Sequence, residues 1–214
     1  MFPSRKLVLL LAALAPLTHA AGLLDVFGRQ WTVPDLADWQ VDREGGAPPV
    51  LCLLKGRDPS PEGPRRPFQF ALTSVPDYRR LTLDVDLKPG ARSLMIVFAY
   101  RDAAHFDYAH LSTDTAAAQP KHNGIFHVYG GERVRISVER GPAAFAETGR
   151  WFHARLVHNA VTGAIAVWVD GRALPALQAV DVSLGAGKVG LGSFDETGCF
   201  RSLKIVASGM RNGH

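Results

Sequence analysis

Between Ser93 and Tyr129 the chain gathers Arg101, His105, Asp107, His110, His122, Asn123 and His127 among aromatic residues. Aromatic rings stack on the C–H faces of a sugar, while Arg, Asp, Asn and His bind its hydroxyls through charge-assisted hydrogen bonds. The group therefore points to a polar, carbohydrate-like ligand. In a catalytic version of this reading, His105, Asp107 or His127 moves the proton and Arg101 holds the substrate. Zinc is not expected: the histidines lack the spacing of a ligand pair on a helix, and along a strand His105 and His110 point to opposite faces. For each histidine alone, a hydrogen-bonded structural role is the simpler account. A second acidic loop, Gly192 to Gly198, places Asp195 and Glu196 beside Ser193 and Thr197. Calcium fits such oxygens in an extracellular domain, and an ordinary Asx turn explains the same composition. No other cofactor is expected.

The elements that must hold these residues read as strands. Ser93 to Tyr100 (SLMIVFAY) is a buried strand, Arg101 to Ala104 a turn, and His105 to Leu111 the return strand; Gly124 to Tyr129 is a further strand. A three-residue loop sets Arg101 opposite His105, Ala99 opposite Asp107 and Val97 opposite Ala109. Phe98, Tyr100, Phe106 and Tyr108 then share the other side, the expected core, and the first side lines a groove. A one-residue slip of register exchanges these roles.

The clearest architecture lies from Gly149 to Ile205. Phe152, Ala154 and Leu156 alternate with His153, Arg155 and Val157, the period-two pattern of a strand with one buried face. Asn159 to Gly163 turns the chain, Ile165, Val167 and Val169 alternate again, and Asp170-Gly171 supplies a hairpin turn. Leu81, Leu83, Val85 and Leu87 alternate with Thr82, Asp84 and Asp86, which marks the aspartates as a solvent face. Prolines break the earlier chain into loops around a strand at Val50 to Leu54. No segment has a sustained helical period.

Trp-x-His opening a strand, Val-Trp-Val-Asp-Gly, Gly-x-Val-Gly-Leu-Gly and the closing Phe-Arg-Ser-Leu-Lys-Ile resemble the concanavalin A-like jelly rolls. Within that superfamily the chain is similar to laminin G-like carbohydrate-binding domains and to 3-keto-disaccharide hydrolase domains grouped with family 16 glycoside hydrolases. The resemblance runs from about Asp77 to the C-terminus and implies an all-β jelly-roll sandwich of two antiparallel sheets. The motifs are mostly turn and strand requirements, so they imply architecture more than activity. The Glu-x-Asp-x-x-Glu strand of family 16 enzymes, which carries the paired carboxylates of retaining hydrolysis, is absent. The Asn-Ser-Gly-Ile segment of the keto-disaccharide hydrolases is met only by His122-Asn123-Gly124-Ile125, in a later position. Jelly rolls commonly set their first and last strands side by side, which makes Cys52 and Cys199 candidates for one disulfide; two buried free thiols are the alternative.

Arg5 and Lys6 precede an apolar run, Leu7 to Leu14, and small residues close at Ala20-Ala21, the layout of a signal peptide over residues 1–20 followed by one domain, 21–214. The run is too short to span about 30 Å of hydrocarbon, so stable membrane insertion is not expected. Without Arg5 and Lys6, 22 of the 24 basic residues face 20 acidic ones, a net charge of +2. The basic residues are scattered and no nucleic-acid-binding pattern accompanies them, so nucleic acid is not an expected partner. The reading is a secreted or periplasmic module that binds a glycan or glycoconjugate on one sheet face. A glycoside-processing enzyme and an envelope protein-interaction scaffold are the two alternatives.

Overall fold

The computed structural model describes residues 21–43, 45, 47–59 and 62–209; the expected signal peptide, residues 1–20, lies outside them. Strands are numbered β1 to β15 along the chain. One sheet has eight strands in the order β1 (Gly22–Val26), β2 (Arg29–Val33), β5 (Gln69–Thr73), β14 (Lys188–Ser193), β7 (Ser93–Asp102), β8 (His105–Ser112), β9 (Gly124–Tyr129) and β10 (Val134–Arg135). The other has seven, in the order β13 (Arg172–Val180), β12 (Ala164–Val169), β11 (Phe152–Asn159), β6 (Arg80–Pro89), β15 (Gly198–Ser208), β4 (Val50–Leu53) and β3 (Trp39–Asp42). All pairings are antiparallel, and two such sheets packed face to face make a jelly-roll sandwich. Among the described residues no helix is long and apolar enough to cross a membrane.

Period-two alternation builds the layer between the sheets. Leu81, Leu83, Val85 and Leu87 from β6 and Phe152, Ala154 and Leu156 from β11 meet Leu94, Ile96, Phe98, Ala109, Leu111 and Ile125 from the facing sheet, all buried. The intervening Asp84 and Asp86 lie on the outer face as expected, where they pair with Arg155, His153 and Arg201. At the turns, Asn159 Oδ1 accepts from the backbone N–H groups of Val161 and Thr162, and Asp170 and Gly171 both take positive φ, 49° and 75°. These are the values a tight hairpin with the right-handed twist of its strands needs. Cys52 of β4 stands directly opposite Cys199 of β15, and the two form a disulfide across 147 residues of chain.

The β7–β8 hairpin departs from the simple reading. Its turn is Ala103-Ala104, with Asp102 opposite His105, and an irregularity between Phe98 and Asp102 then resets the register. Ala99 takes φ 50° there and is fully buried. A bulge adds a residue to one strand only, so side chains before and after it fall on different faces than strict alternation assigns. Phe98 therefore points between the sheets with Asp107 opposite it, while Tyr100, Phe106 and Tyr108 point outward. The expectation that these four aromatics share the core side is corrected by this bulge.

Candidate functional site

The outward face of the eight-stranded sheet carries a second apolar layer. Phe70 of β5, Met95 and Val97 of β7, Phe106 and Tyr108 of β8, and Phe126 and Val128 of β9 pack with Phe194. Tyr108 and Phe126 stack at 5.3 Å, and Phe70 contacts both Phe106 and Tyr100 edge to face. The facing position on β14 is Gly192, where an added Cβ would lie 2.1 Å from the Gln69 carbonyl oxygen; only glycine lets the strands and rings approach so closely.

A loop roofs part of this face. Arg57 pairs with Asp35 and with buried Asp38, and Gln69 donates to Asp38 and to the Lys55 carbonyl, which fixes the start of the loop against the short helix Leu36–Asp38. Farther on, Arg65 and Arg133 both lie over the Phe194 ring, at 5.1 and 3.9 Å, and Arg133 and Arg135 lie over Phe126. Guanidinium planes on ring faces give cation–π contacts and cover apolar carbon at once. The roof leaves one end of the face open. There Phe68, Phe70, Leu72 and Tyr100 line an apolar groove of about 370 Å³, with Arg66 and Thr32 at its rim. Phe68 is 38% exposed.

The residues singled out in the sequence fall into three places. Arg101 donates to the Leu184 carbonyl, and His105 is bound by Asp102 at the exposed hairpin tip, 2.8 Å away. Asp107 and His127 stand opposite each other on β8 and β9 and point between the sheets. His110, His122 and Asn123 occupy the other end: His122 pairs with Asp114, Asn123 donates to the Pro142 carbonyl, and the His110 and His122 rings meet edge to face at 4.9 Å. Asp195 and Glu196 lie in the loop between β14 and β15. Glu196 accepts from Arg92 and from the backbone and hydroxyl of Ser93, and burial raises the Asp195 carboxyl above its ordinary range.

Asp107 lies in a cluster that includes residues not singled out in the sequence. His127 Nδ1 is 2.7 Å from Asp107 Oδ1 and 2.8 Å from Asp181 Oδ2, just after β13. His158 of β11 comes from the other sheet, 1% exposed, with Nδ1 bonded to the Tyr78 hydroxyl and Nε2 unpartnered. Burial raises the Asp107 carboxyl, and its hydrogen bond raises His127 in turn. His158 was readable from its position: period two places it on the buried face with Phe152, Ala154 and Leu156. Asp181 and Tyr78 sit in loops and carry no such signal. Beside the cluster a cavity of about 610 Å³ is lined by Tyr78, Arg101, Val182 and Ser183.

His110 is wholly buried, and burial, together with the charges of His122, Arg133 and Arg135, holds its pKa well below 6.5. An unfolded chain protonates this imidazole near pH ~6.5 while the folded chain does not, so its contribution to stability is present above that pH and lost as pH falls. His127, shifted upward, changes its contribution only above pH ~6.5 and does not cancel the effect. Urea unfolding at pH 7 and pH 5 is expected to show this loss, with a shallower pH dependence in His110→Gln. An unchanged dependence in the variant would assign the acid sensitivity elsewhere.

No protein-family model and no curated protein matches the chain. Solved structures do. The carbohydrate-binding module CBM66 from Bacillus subtilis superposes with a TM-score of 0.56 at 18% identity, over 79% of this chain and 91% of that one. The xylan β-1,4-xylosidase from Bacillus halodurans gives 0.54 at 12% identity, over 86% of this chain but 38% of that one. At such identities the likeness is one of fold alone: an all-β jelly-roll sandwich of two antiparallel sheets.

Proposed function

We propose that the protein is an exported glycan-binding module whose site is the open end of the aromatic face. The observation that carries the reading is the groove built by Phe68, Phe70 and Tyr100, with Arg66 and Thr32 at the rim. Rings present a flat apolar surface for a pyranose face, and the rim supplies a cation and a hydroxyl for its oxygens. Both solved neighbours have names that refer to carbohydrate. Along the same roof, Arg65, Lys121, Arg133 and Arg135 with Glu132 line a second pocket, so acidic as well as neutral oligosaccharides belong in the test. A disulfide fits an oxidising compartment, in line with a cleaved signal peptide over residues 1–20.

Binding is preferred to glycoside processing on one observation. Asp107 and His127, the pair suited to proton transfer, are tied to each other, and Asp107 is 1% exposed, away from the groove. Calorimetric titration of the protein against an oligosaccharide panel tests the reading. Phe68→Ala and Tyr100→Ala are each expected to weaken binding about tenfold, the size of a lost ring stack of ~1.4 kcal/mol. Turnover of any panel member would favour the enzyme, and silence across the panel would favour a protein-interaction scaffold.

A further inference from the structure

The geometry points to a divalent-cation site between the sheets, formed by Asp107, His127 and Asp181. One ligand atom from each of the three lies within 4.8 Å of the others, and among the described residues no other group of this kind converges so. Three parts of the fold supply them. Asp107 of β8 and His127 of β9 are cross-strand partners, and Asp181 follows β13 with its N–H bonded to the Gly163 carbonyl.

Charge balance is the first argument. Two carboxylates share a single imidazole Nδ1, so the cluster sets more acidic groups together than one imidazole can pair with, in a mostly buried place. Interiors tolerate ionised groups when they are paired or coordinate a metal. A divalent ion bound by two carboxylates and a neutral imidazole satisfies all three. The second argument is His158 of the other sheet: it is buried, its Nδ1 is engaged by Tyr78, its Nε2 has no partner, and the Asp181 charge acts on it, so a buried unsatisfied nitrogen lies in the field of the cluster. Ser183 N–H orients Asp181 at 2.7 Å.

One imidazole nitrogen and two carboxylate oxygens in a small space suit a first-row ion such as Zn²⁺, bound at about 2.0–2.2 Å, with a position left open for a further ligand. Calcium wants about six to eight oxygens and does not suit this set. A tetrahedral ion with such bonds separates its ligand atoms by roughly 3.4 Å, so the present 2.7 and 2.8 Å spacings open by about 0.6–0.7 Å on binding. His127 and Asp181 retain 16% and 13% side-chain exposure, which leaves a way in.

The test uses chelator-treated, dialysed protein. Zn²⁺ is expected to bind one per chain by calorimetry and, at a hundredfold excess over its Kd, to raise Tm by roughly 5–10 °C, while Ca²⁺ and Mg²⁺ do not. Both effects should vanish in Asp181→Asn, and His127→Gln serves if that variant does not fold. Absence of stoichiometric Zn²⁺ binding in the parent protein, or its persistence in the variants, overturns the assignment and leaves the cluster as an ion pair.

Discussion

Replacing Cys52 and Cys199 together by serine is expected to cost about 5 kcal/mol of unfolding free energy, on the entropic account of a cross-link that closes a 147-residue loop. For a chain of this size that corresponds to a fall in Tm of roughly 10–20 °C. The bond joins two strands already in register, Cys199 opposite Cys52 and Phe200 opposite Leu51, so the native sheet needs no distortion to accept it. The effect therefore acts through the unfolded chain, which is free to expand once the bond is gone. Thermal and urea unfolding of the double variant checks this. A shift of only a degree or two would mean that the unfolded chain is held compact by other means.

Phe126→Ala is expected to be the most damaging substitution on the aromatic face, with a loss of about 3–5 kcal/mol from transfer and cavity terms. Its ring is 2% exposed, stacks on Tyr108 and supports Arg133 and Arg135. The Tyr108 hydroxyl and Arg133 Nη1 beneath the roof lack hydrogen-bond partners, so at this point the roof rests on ring contacts such as that of Phe126. Phe68→Ala makes the contrast. Phe68 is exposed at the open end, and its loss is expected to change stability by under ~1 kcal/mol while weakening sugar binding. Urea unfolding of the two variants separates a roofed core from an open platform. Equal destabilisation would make the whole face structural.

Local patterns carried the architecture into view from the sequence. The alternation in Leu81 to Leu87, the Asn159–Gly163 and Asp170–Gly171 turns and the cysteine pair each depend on neighbours along the strand or on a partner strand the fold type supplies. The site was less legible. A bulge at Ala99 has no signature that a run of apolar residues can show, yet it sends Phe98 into the inter-sheet layer and Tyr100 to the outer face. The roof is a long-range device: Arg65 and Arg133 lie far apart in sequence and meet over Phe194. Phe68 escaped notice because it sits in a proline-rich loop rather than in a strand. The histidines, read as one group, divide among the hairpin tip, the inter-sheet cluster and the His110 corner because alternate strand positions belong to opposite faces.

The central claim, a glycan platform at the open end of the aromatic face, is tested most directly by calorimetric titration of the parent protein and of Phe68→Ala with the best oligosaccharide of the panel. The account predicts saturable binding without turnover in the parent and about tenfold weaker binding in the variant, with the fold intact by circular dichroism. Binding of equal strength in the two proteins would contradict it.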